Sequence, residues 1–258
     1  MIVKNFEEIT NNFYPVIIVG SGPAGISLAL TLEKKKINCL IIEAGKETYD
    51  NDSQQFYESV VVGDNITNLK HSRLRQFGGT SGHWGGWSKP MDKFNIKSWG
   101  LNFNEFSKYL DETCNILNIK NNFDKSELSN YFNQIQFQYS KVRFAKKFRN
   151  RIEKSKYINL LTNTQATHFN GDNGIVETVS ITNNEKKYFL KSKLFILSSG
   201  AVENSRVLLW TRDLNNNLIN KKLPIGNYWM THPWIIGGMG VVKKNKIKEI
   251  LKDKFLNY

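Results

Sequence analysis

The sequence predicts an α/β fold in which a small antiparallel sheet accompanies a doubly wound parallel sheet. Residues 14–19 and 39–42 are apolar and rich in β-branched side chains, and a helical pattern between them completes a β-α-β unit. Short alternating runs over residues 157–191 predict antiparallel strands. An apolar run at 193–197, followed by a helix over 202–210, predicts a further strand of the parallel sheet.

Composition predicts a folded chain. Of the 258 residues, 40% are hydrophobic and 12% aromatic, which is enough apolar surface for a packed core and excludes a disordered protein. Lys and Arg total 36 against 23 Asp and Glu, a net charge of +13, but the lysines are scattered. We therefore interpret the charge as a solvated surface and expect no nucleic-acid partner.

Two further features of the sequence concern location and metals. No run of eighteen apolar residues occurs, so we expect no membrane span. The first residues contain no apolar signal segment, which predicts a cytoplasmic protein. Cys39 and Cys114 match neither a metal-binding spacing nor a redox pair, and no metal site is predicted.

A glycine motif directly follows the first predicted strand. Gly20 permits a tight turn, Gly22 lets the backbone approach a pyrophosphate, and Gly25 allows a helix to pack closely on the strand. That helix presents free N–H groups to phosphates. Glu43, at the end of the second strand, is placed to accept a hydrogen bond from a ribose hydroxyl. The motif predicts a dinucleotide site but does not distinguish NAD from FAD.

A second glycine-dense loop spans residues 76–87. Such a loop brings its backbone close to a flat ring and turns successive N–H groups toward flavin oxygens and phosphates, so it favours FAD. Arg73 and Arg75 precede the loop and are candidates for a pyrophosphate contact or for a solvated salt bridge. A NAD(P)-dependent dehydrogenase with the same first motif is the less favoured alternative.

Four motifs in a fixed order give the chain a family resemblance. The two glycine loops are followed by a strand, turn and helix at 197–209 and by the segment 226–233. In this order they resemble the N-terminal half of the glucose–methanol–choline (GMC) oxidoreductases, over about residues 14–240. The resemblance implies a bound FAD and oxidation of an alcohol carbon by hydride transfer to flavin N5. The pair His83-Trp84 makes the sugar-oxidising branch the most similar.

The resemblance implies cofactor contacts from both glycine loops, the acidic end of the second strand, one later strand and the turn after the last strand. These residues are Gly20, Ser21, Gly22, Pro23, Ala24, Gly25, Glu43, Ala44, Gly78, Gly79, Thr80, Ser81, His83, Trp84, Ala166, Thr167, Ser199 and Gly200. Some sugar-oxidising members bond the histidine that matches His83 covalently to the flavin. We state a covalent His83 link as a hypothesis, with a non-bonded histidine beside the flavin edge as its alternative. His232 matches a position near the flavin face and is a candidate for the substrate pocket.

The resemblance also suggests how the chain is divided. Residues 12–90 and 155–232 are predicted to form a discontinuous FAD-binding domain, with a helical insertion or cap at 91–154. Residues 233–258 are predicted to begin a substrate-binding sheet whose remaining part is absent.

Alcohol oxidation needs a base that accepts the hydroxyl proton. In the family this base is a histidine near the C-terminus of a longer chain, and nothing in residues 234–258 resembles that region. We therefore expect a fragment of an enzyme, or a chain whose site a partner completes, with an alcohol or sugar as substrate and an unassigned electron acceptor. A non-catalytic flavin-binding subunit or a decayed fragment is the alternative.

Overall fold

A computed structural model describes residues 1–9, 13–63, 68–123, 125–129, 132–135, 137–230 and 241. The strands are β1 (Ile2–Val3), β2 (Val16–Val19), β3 (Cys39–Ile42), β4 (Trp87–Ser88), β5 (Lys125–Ser129), β6 (Phe132–Ile135), β7 (Gln138–Tyr139), β8 (Ile158–Leu161), β9 (Thr164–Asp172), β10 (Ile175–Asn183), β11 (Lys186–Lys191) and β12 (Leu194–Leu197). The helices are α1 (Pro23–Lys34), α2 (Asn51–Gln55), α3 (Leu69–Ser72), α4 (Lys93–Ser98), α5 (Phe103–Ser107), α6 (Leu110–Leu117), α7 (Phe144–Lys154) and α8 (Ala201–Leu214). Short 3-10 turns occur at Phe6–Glu8 and Gly79–Gly82. None of the helices in these described ranges has both the length and the apolar composition that crossing a bilayer requires.

A five-stranded parallel sheet lies at the centre of the compact unit Met1–Gly226. Its strand order is β1-β8-β3-β2-β12, and every neighbouring pair is parallel. Ile18 in β2 is paired with Ile41 in β3 on one side and with Ile196 in β12 on the other. Strands β2 and β3 are buried throughout, as near-continuous apolar strands of a parallel sheet must be. The predicted α/β class is confirmed.

The two faces of this sheet are covered differently. On one face Ile41 belongs to a core cluster with Ile26 of α1 and Phe148 of α7. On the other face Leu40 belongs to a cluster with Phe169 of β9, and β9–β11 form the predicted small antiparallel sheet. The carboxyl ends of β2, β3 and β12 therefore meet at one edge, where a ligand site is expected in such sheets.

Two sequence predictions differ from the structure. Residues 158–161, assigned to the antiparallel strands, form β8 of the parallel sheet, because their apolar side chains are buried between β1 and β3. Apolar residues at helical spacing predict amphipathic helices over residues 103–150, but this segment also contains β5, β6 and β7. The sequence from Ile135 to Tyr139 alternates with period two, as a strand does.

The predicted domain boundaries stay predictions. Helix α7 lies within the segment assigned to the insertion, yet Phe144, Phe148 and Ile152 pack in the core against the parallel sheet. Apart from residue 241, the predicted substrate sheet at 233–258 lies outside the described residues.

Candidate functional site

The turn after β2 has a shape that requires glycine. Gly20 has a φ of +105°, in the region that favours glycine. A Cβ there would lie 2.7 Å from both the carbonyl carbon and the oxygen of Ser198. Ser198 Oγ donates at 2.9 Å to the carbonyl oxygens of Val19 and Gly20. The turn is thus fixed against the residue that follows β12.

The other two glycines of the motif differ in the space around them: Gly25 is tightly packed and Gly22 is open. A Cβ on Gly25 would lie 2.0 Å from the Gly20 carbonyl oxygen, so α1 packs on the turn at a distance that excludes any side chain. For a Cβ on Gly22 the nearest atom, Ser198 O, is 4.0 Å away. Gly22 caps α1 and Pro23 begins it, which leaves first-turn N–H groups without intrahelical acceptors. This open backbone beside free donors fits a phosphate.

Glu43 follows β3 and is 6% exposed. Its Oε2 accepts from Ser21 N at 3.1 Å and Ser21 Oγ at 2.6 Å, and its Oε1 accepts from Gly45 N at 2.8 Å. Burial raises the pKa of Glu43, while these hydrogen bonds and the charge of Arg75 act in the opposite direction. Since a carboxylate has about four acceptor positions, one stays available to a hydroxyl donor.

The second glycine loop contacts the first one directly. Gly78 has a φ of +84°, and its N–H donates to the Ser21 carbonyl oxygen at 3.1 Å. A Cβ on Gly79 would lie 3.1 Å from Gly22 Cα, so the backbones of the two loops touch. On the opposite side, a Cβ on Gly78 would lie 2.6 Å from Ala145 N in α7. The second loop is therefore clamped between the first loop and α7.

The remainder of the second loop is bound to the start of α7 and to the segment just before it. Ser81, 1% exposed, accepts from Phe144 N through its Oγ at 3.1 Å. Trp84 Nε1 donates to the Val142 carbonyl oxygen at 2.9 Å. His83 and Trp87 are the exposed side chains of this loop apart from the glycines. The loop's shape is thus set by packing on the protein side.

Both loops line a cavity of about 510 Å³, a size within the usual range for small-molecule sites. The predicted cofactor residues that line it are Gly20, Ser21, Gly22, Pro23, Ala24, Glu43, Ala44, Gly79, Thr80, Ala166, Ser199 and Gly200. The predicted residues that are not part of its lining are Gly25, Gly78, Ser81, His83, Trp84 and Thr167. His232 lies outside the described residues.

An aromatic and cationic wall completes the cavity. The Arg75 guanidinium carbon is 4.7 Å from the centre of the Phe56 ring, and that of Arg206 is 5.9 Å from it. Burial lowers the pKa of Arg75 and raises that of Tyr57 to about 12, so Tyr57 is neutral at ordinary pH. Sequence reasoning missed Phe56, Tyr57 and Arg206. For the two aromatic residues, the available signal was that Phe56 and Tyr57 are adjacent within the otherwise polar stretch 49–71.

Comparison with known proteins identifies the cofactor class. Residues 14–55 match the model of a family described as an FAD binding domain. No curated protein matches the chain. Among solved structures, pyridoxine 4-oxidase from Mesorbium loti is similar, with a TM-score of 0.54 and 15% identity over 75% of this chain and 51% of that chain. A fungal aryl-alcohol oxidase has a TM-score of 0.46 and 13% identity over 77% of this chain and 47% of that one.

The chain therefore spans about half the length of these solved structures. The likeness to pyridoxine 4-oxidase shows a shared fold. The matched residues 14–55 contain the first glycine loop, α1, β3 and Glu43. Together these findings identify FAD as the cofactor of the chain, and the free donors beside Gly22 and the open acceptor position of Glu43 fit a dinucleotide.

Proposed function

We propose that the chain is the cofactor-binding part of an FAD-dependent oxidoreductase that acts on a CH–OH group of a sugar, a polyol or another alcohol. The observation that carries the proposal is the contact of two glycine loops on one wall of the 510 Å³ cavity, beside Glu43. FAD supplies a hydride acceptor, the flavin N5, when it is bound. The substrate class comes from the GMC resemblance of the sequence.

We assign each part of the cavity a role in holding FAD. Gly22 and the α1 amides face the pyrophosphate, which meets the positive end of the helix there. Gly79 closes on the same groups from the second loop. Glu43 accepts from the ribose through its free position, and Ala166 lies where the resemblance places the adenine. The cation of Arg75 adds attraction for the phosphates.

The proton acceptor for the alcohol has no candidate among the described residues that line the cavity. No histidine lines it there, and its two carboxylates belong to Glu43 and Glu203. Glu43 is enclosed by the first loop, and Glu203 is paired with Arg206 at 2.9 Å. We propose that polypeptide beyond this chain, or a partner chain, supplies the base. His232 stays a candidate for the substrate pocket.

The visible spectrum of the purified 258-residue chain tests cofactor binding. We expect a flavin spectrum that survives gel filtration, and we expect it to be lost in a Glu43→Lys variant, which places a cation at the ribose. Lys187→Gln, a charge change on exposed β11, is the matched control and should keep the spectrum. A folded, colourless wild-type chain that takes up no added FAD would contradict the proposal.

A non-catalytic flavin-binding subunit is the second candidate, and the missing base among the described lining residues favours it. The two candidates are distinguished by anaerobic bleaching of the flavin with a panel of sugars and alcohols. Bleaching by the chain joined to a completing chain supports the oxidoreductase. If the flavin binds tightly but only dithionite reduces it, whichever completing chain is joined, the result supports the non-catalytic subunit.

The covalent link through His83 is tested by acid precipitation. Among the described residues, His83 has a hydrogen bond only from its backbone N–H, to Thr80 O at 3.2 Å, so its exposed imidazole is free to react. We expect yellow colour in the acid pellet of the wild-type chain and in the supernatant of His83→Ala. Colour in the pellet of both proteins would exclude the link through His83.

A further inference from the structure

A second cavity, of about 400 Å³, lies between the Gly79–Gly82 turn and the first turns of α7. Ser81 and Gly82 line this cavity, whereas Gly79 and Thr80 line the first one. A single turn of backbone therefore separates the two cavities. The size of the second cavity is within the range of small-molecule sites.

The charge of this cavity is positive. Arg143, Lys146 and Arg149 all line it, and Glu47 is its one acidic lining residue in the described part of the chain. Glu47 is already paired with Arg149. Arg143 donates to a neighbouring backbone carbonyl oxygen at 3.3 Å, and Lys146 has no acidic partner among the described residues. Two cations in the wall are thus left for an anion from outside.

The cavity also contains an acceptor that needs a donor. Gln76 lines the cavity, and its buried Oε1 accepts no hydrogen bond from any described residue. Buried acceptors are nearly always satisfied, and one left open points to a missing donor. The fully buried Phe77 forms part of the same lining, with the Arg149 guanidinium 5.3 Å from its ring centre. The wall therefore offers cations and one acceptor.

We propose that this second cavity binds a small phosphate-bearing anion that has a hydroxyl group, such as the phosphate ester of a short polyol. Arg143 and Lys146 bind the phosphate oxygens, and Gln76 Oε1 accepts from the hydroxyl. The amide oxygen of Gln76 can only accept a hydrogen bond, so a fully deprotonated oxygen is unfavourable beside it. The ligand must therefore present an anionic group to the cations and a hydroxyl group to Gln76. The site is separate from the cofactor cavity and does not depend on the proposed reaction.

Titration calorimetry on the FAD-loaded chain at constant ionic strength tests the charge requirement, with glycerol 3-phosphate as the probe. We expect saturable binding that becomes about tenfold weaker in Arg143→Gln/Lys146→Gln. Lys187→Gln removes one charge from exposed β11 and should bind as the wild type does. The flavin spectrum reports folding, and Lys146→Glu alone replaces the double variant if the latter does not fold.

The comparison of hydrogen phosphate with sulfate tests the acceptor. Both are tetrahedral dianions, but only hydrogen phosphate carries a proton to donate to Gln76 Oε1. We expect hydrogen phosphate to bind about tenfold more tightly than sulfate. Equal binding of the two ions, unchanged binding in the double variant, or equal weakening by Lys187→Gln would each overturn the proposal.

Discussion

The space around each glycine of the first loop shows whether that glycine is needed for packing or leaves room for a ligand. The Cβ that Gly25 lacks would lie 2.0 Å from a carbonyl oxygen of the turn, whereas that of Gly22 would have 4.0 Å of room on the cavity side. Their places in the glycine motif already predict one glycine that faces phosphate and one that packs. The structure separates them into a packing residue and a residue that leaves space for phosphate.

Alanine at each position should therefore give different results. Gly25→Ala should lower the free energy of unfolding by about 1–3 kcal/mol or more, because α1 must move away from the turn. Gly22→Ala should change it by less than about 1 kcal/mol yet weaken FAD binding about tenfold or more. Urea unfolding of the FAD-free proteins and a flavin titration check both. Equal loss of stability in the two variants would contradict this division.

His168 gives the stability of the chain a dependence on pH. Burial lowers the pKa of His168 from its ordinary 6.5, and the cation of Lys187 acts in the same direction. The unfolded chain therefore binds a proton at His168 more readily than the folded chain does. The contribution of neutral His168 to the free energy of unfolding is complete above pH 6.5 and is lost as the pH falls below it. We expect His168→Gln to flatten the fall in unfolding free energy toward about pH 5. An unchanged slope in urea-unfolding experiments would contradict this expectation.

At the scale of elements, the second loop depends on α7 for its position. Ser81 Oγ accepts from Phe144 N at 3.1 Å and donates to Gly78 O at 2.7 Å, with the side chain fully buried. A helix from the segment assigned to an insertion thus supports a loop that lines the cofactor cavity. No spacing in the sequence links these two distant segments.

Ser81→Ala should remove this support. The Phe144 amide would lose its buried acceptor, which should lower the free energy of unfolding by about 1–3 kcal/mol and speed FAD release. Ser88→Ala is the control, because the half-buried Ser88 hydroxyl donates to Gly86 O at 3.1 Å near the same loop. Stopped-flow release of FAD and urea unfolding measure the two effects. Equal effects of both substitutions would show that Ser81 has no special role.

The sequence was sufficient for elements whose local pattern and burial agree. Strand β3 was predicted with its observed bounds, and the turn, α1 and Glu43 followed from glycine spacing and the acidic residue. The sequence was not sufficient where contacts with distant segments determine the structure of an element. An apolar run such as that of β8 suits either sheet, and only pairing with β1 and β3 makes it parallel. The cavity wall at Phe56 and Arg206 joins segments far apart in the chain, so periodicity could not reveal it.

At the scale of the whole molecule, the cofactor cavity is closed by residues from both ends of the described unit. Val19 and Gly20 accept from Ser198, and Ser199 and Gly200 line the cavity together with Gly22. The first β-α-β unit by itself therefore has the glycine motif but lacks one wall.

A chain that ends at residue 192 should consequently fail to retain FAD. It keeps the family-matched residues 14–55 but loses β12 and the contacts of Ser198 with the first loop. Gel filtration with added FAD, compared with the 258-residue chain, measures retention. Equal retention by a folded shorter chain would show that β12 is dispensable to the site.

The pairing of β2 with β12 also has a consequence during synthesis on the ribosome. Gly20 and Ser198 are 178 positions apart, and at ordinary elongation rates roughly 10 to 35 s pass between their appearance. Throughout that interval β2 presents an unpaired apolar edge, and such an edge is a template for aggregation. We therefore expect the nascent chain to need chaperone protection for that period, and to capture its cofactor only after the last parallel strand has left the exit tunnel.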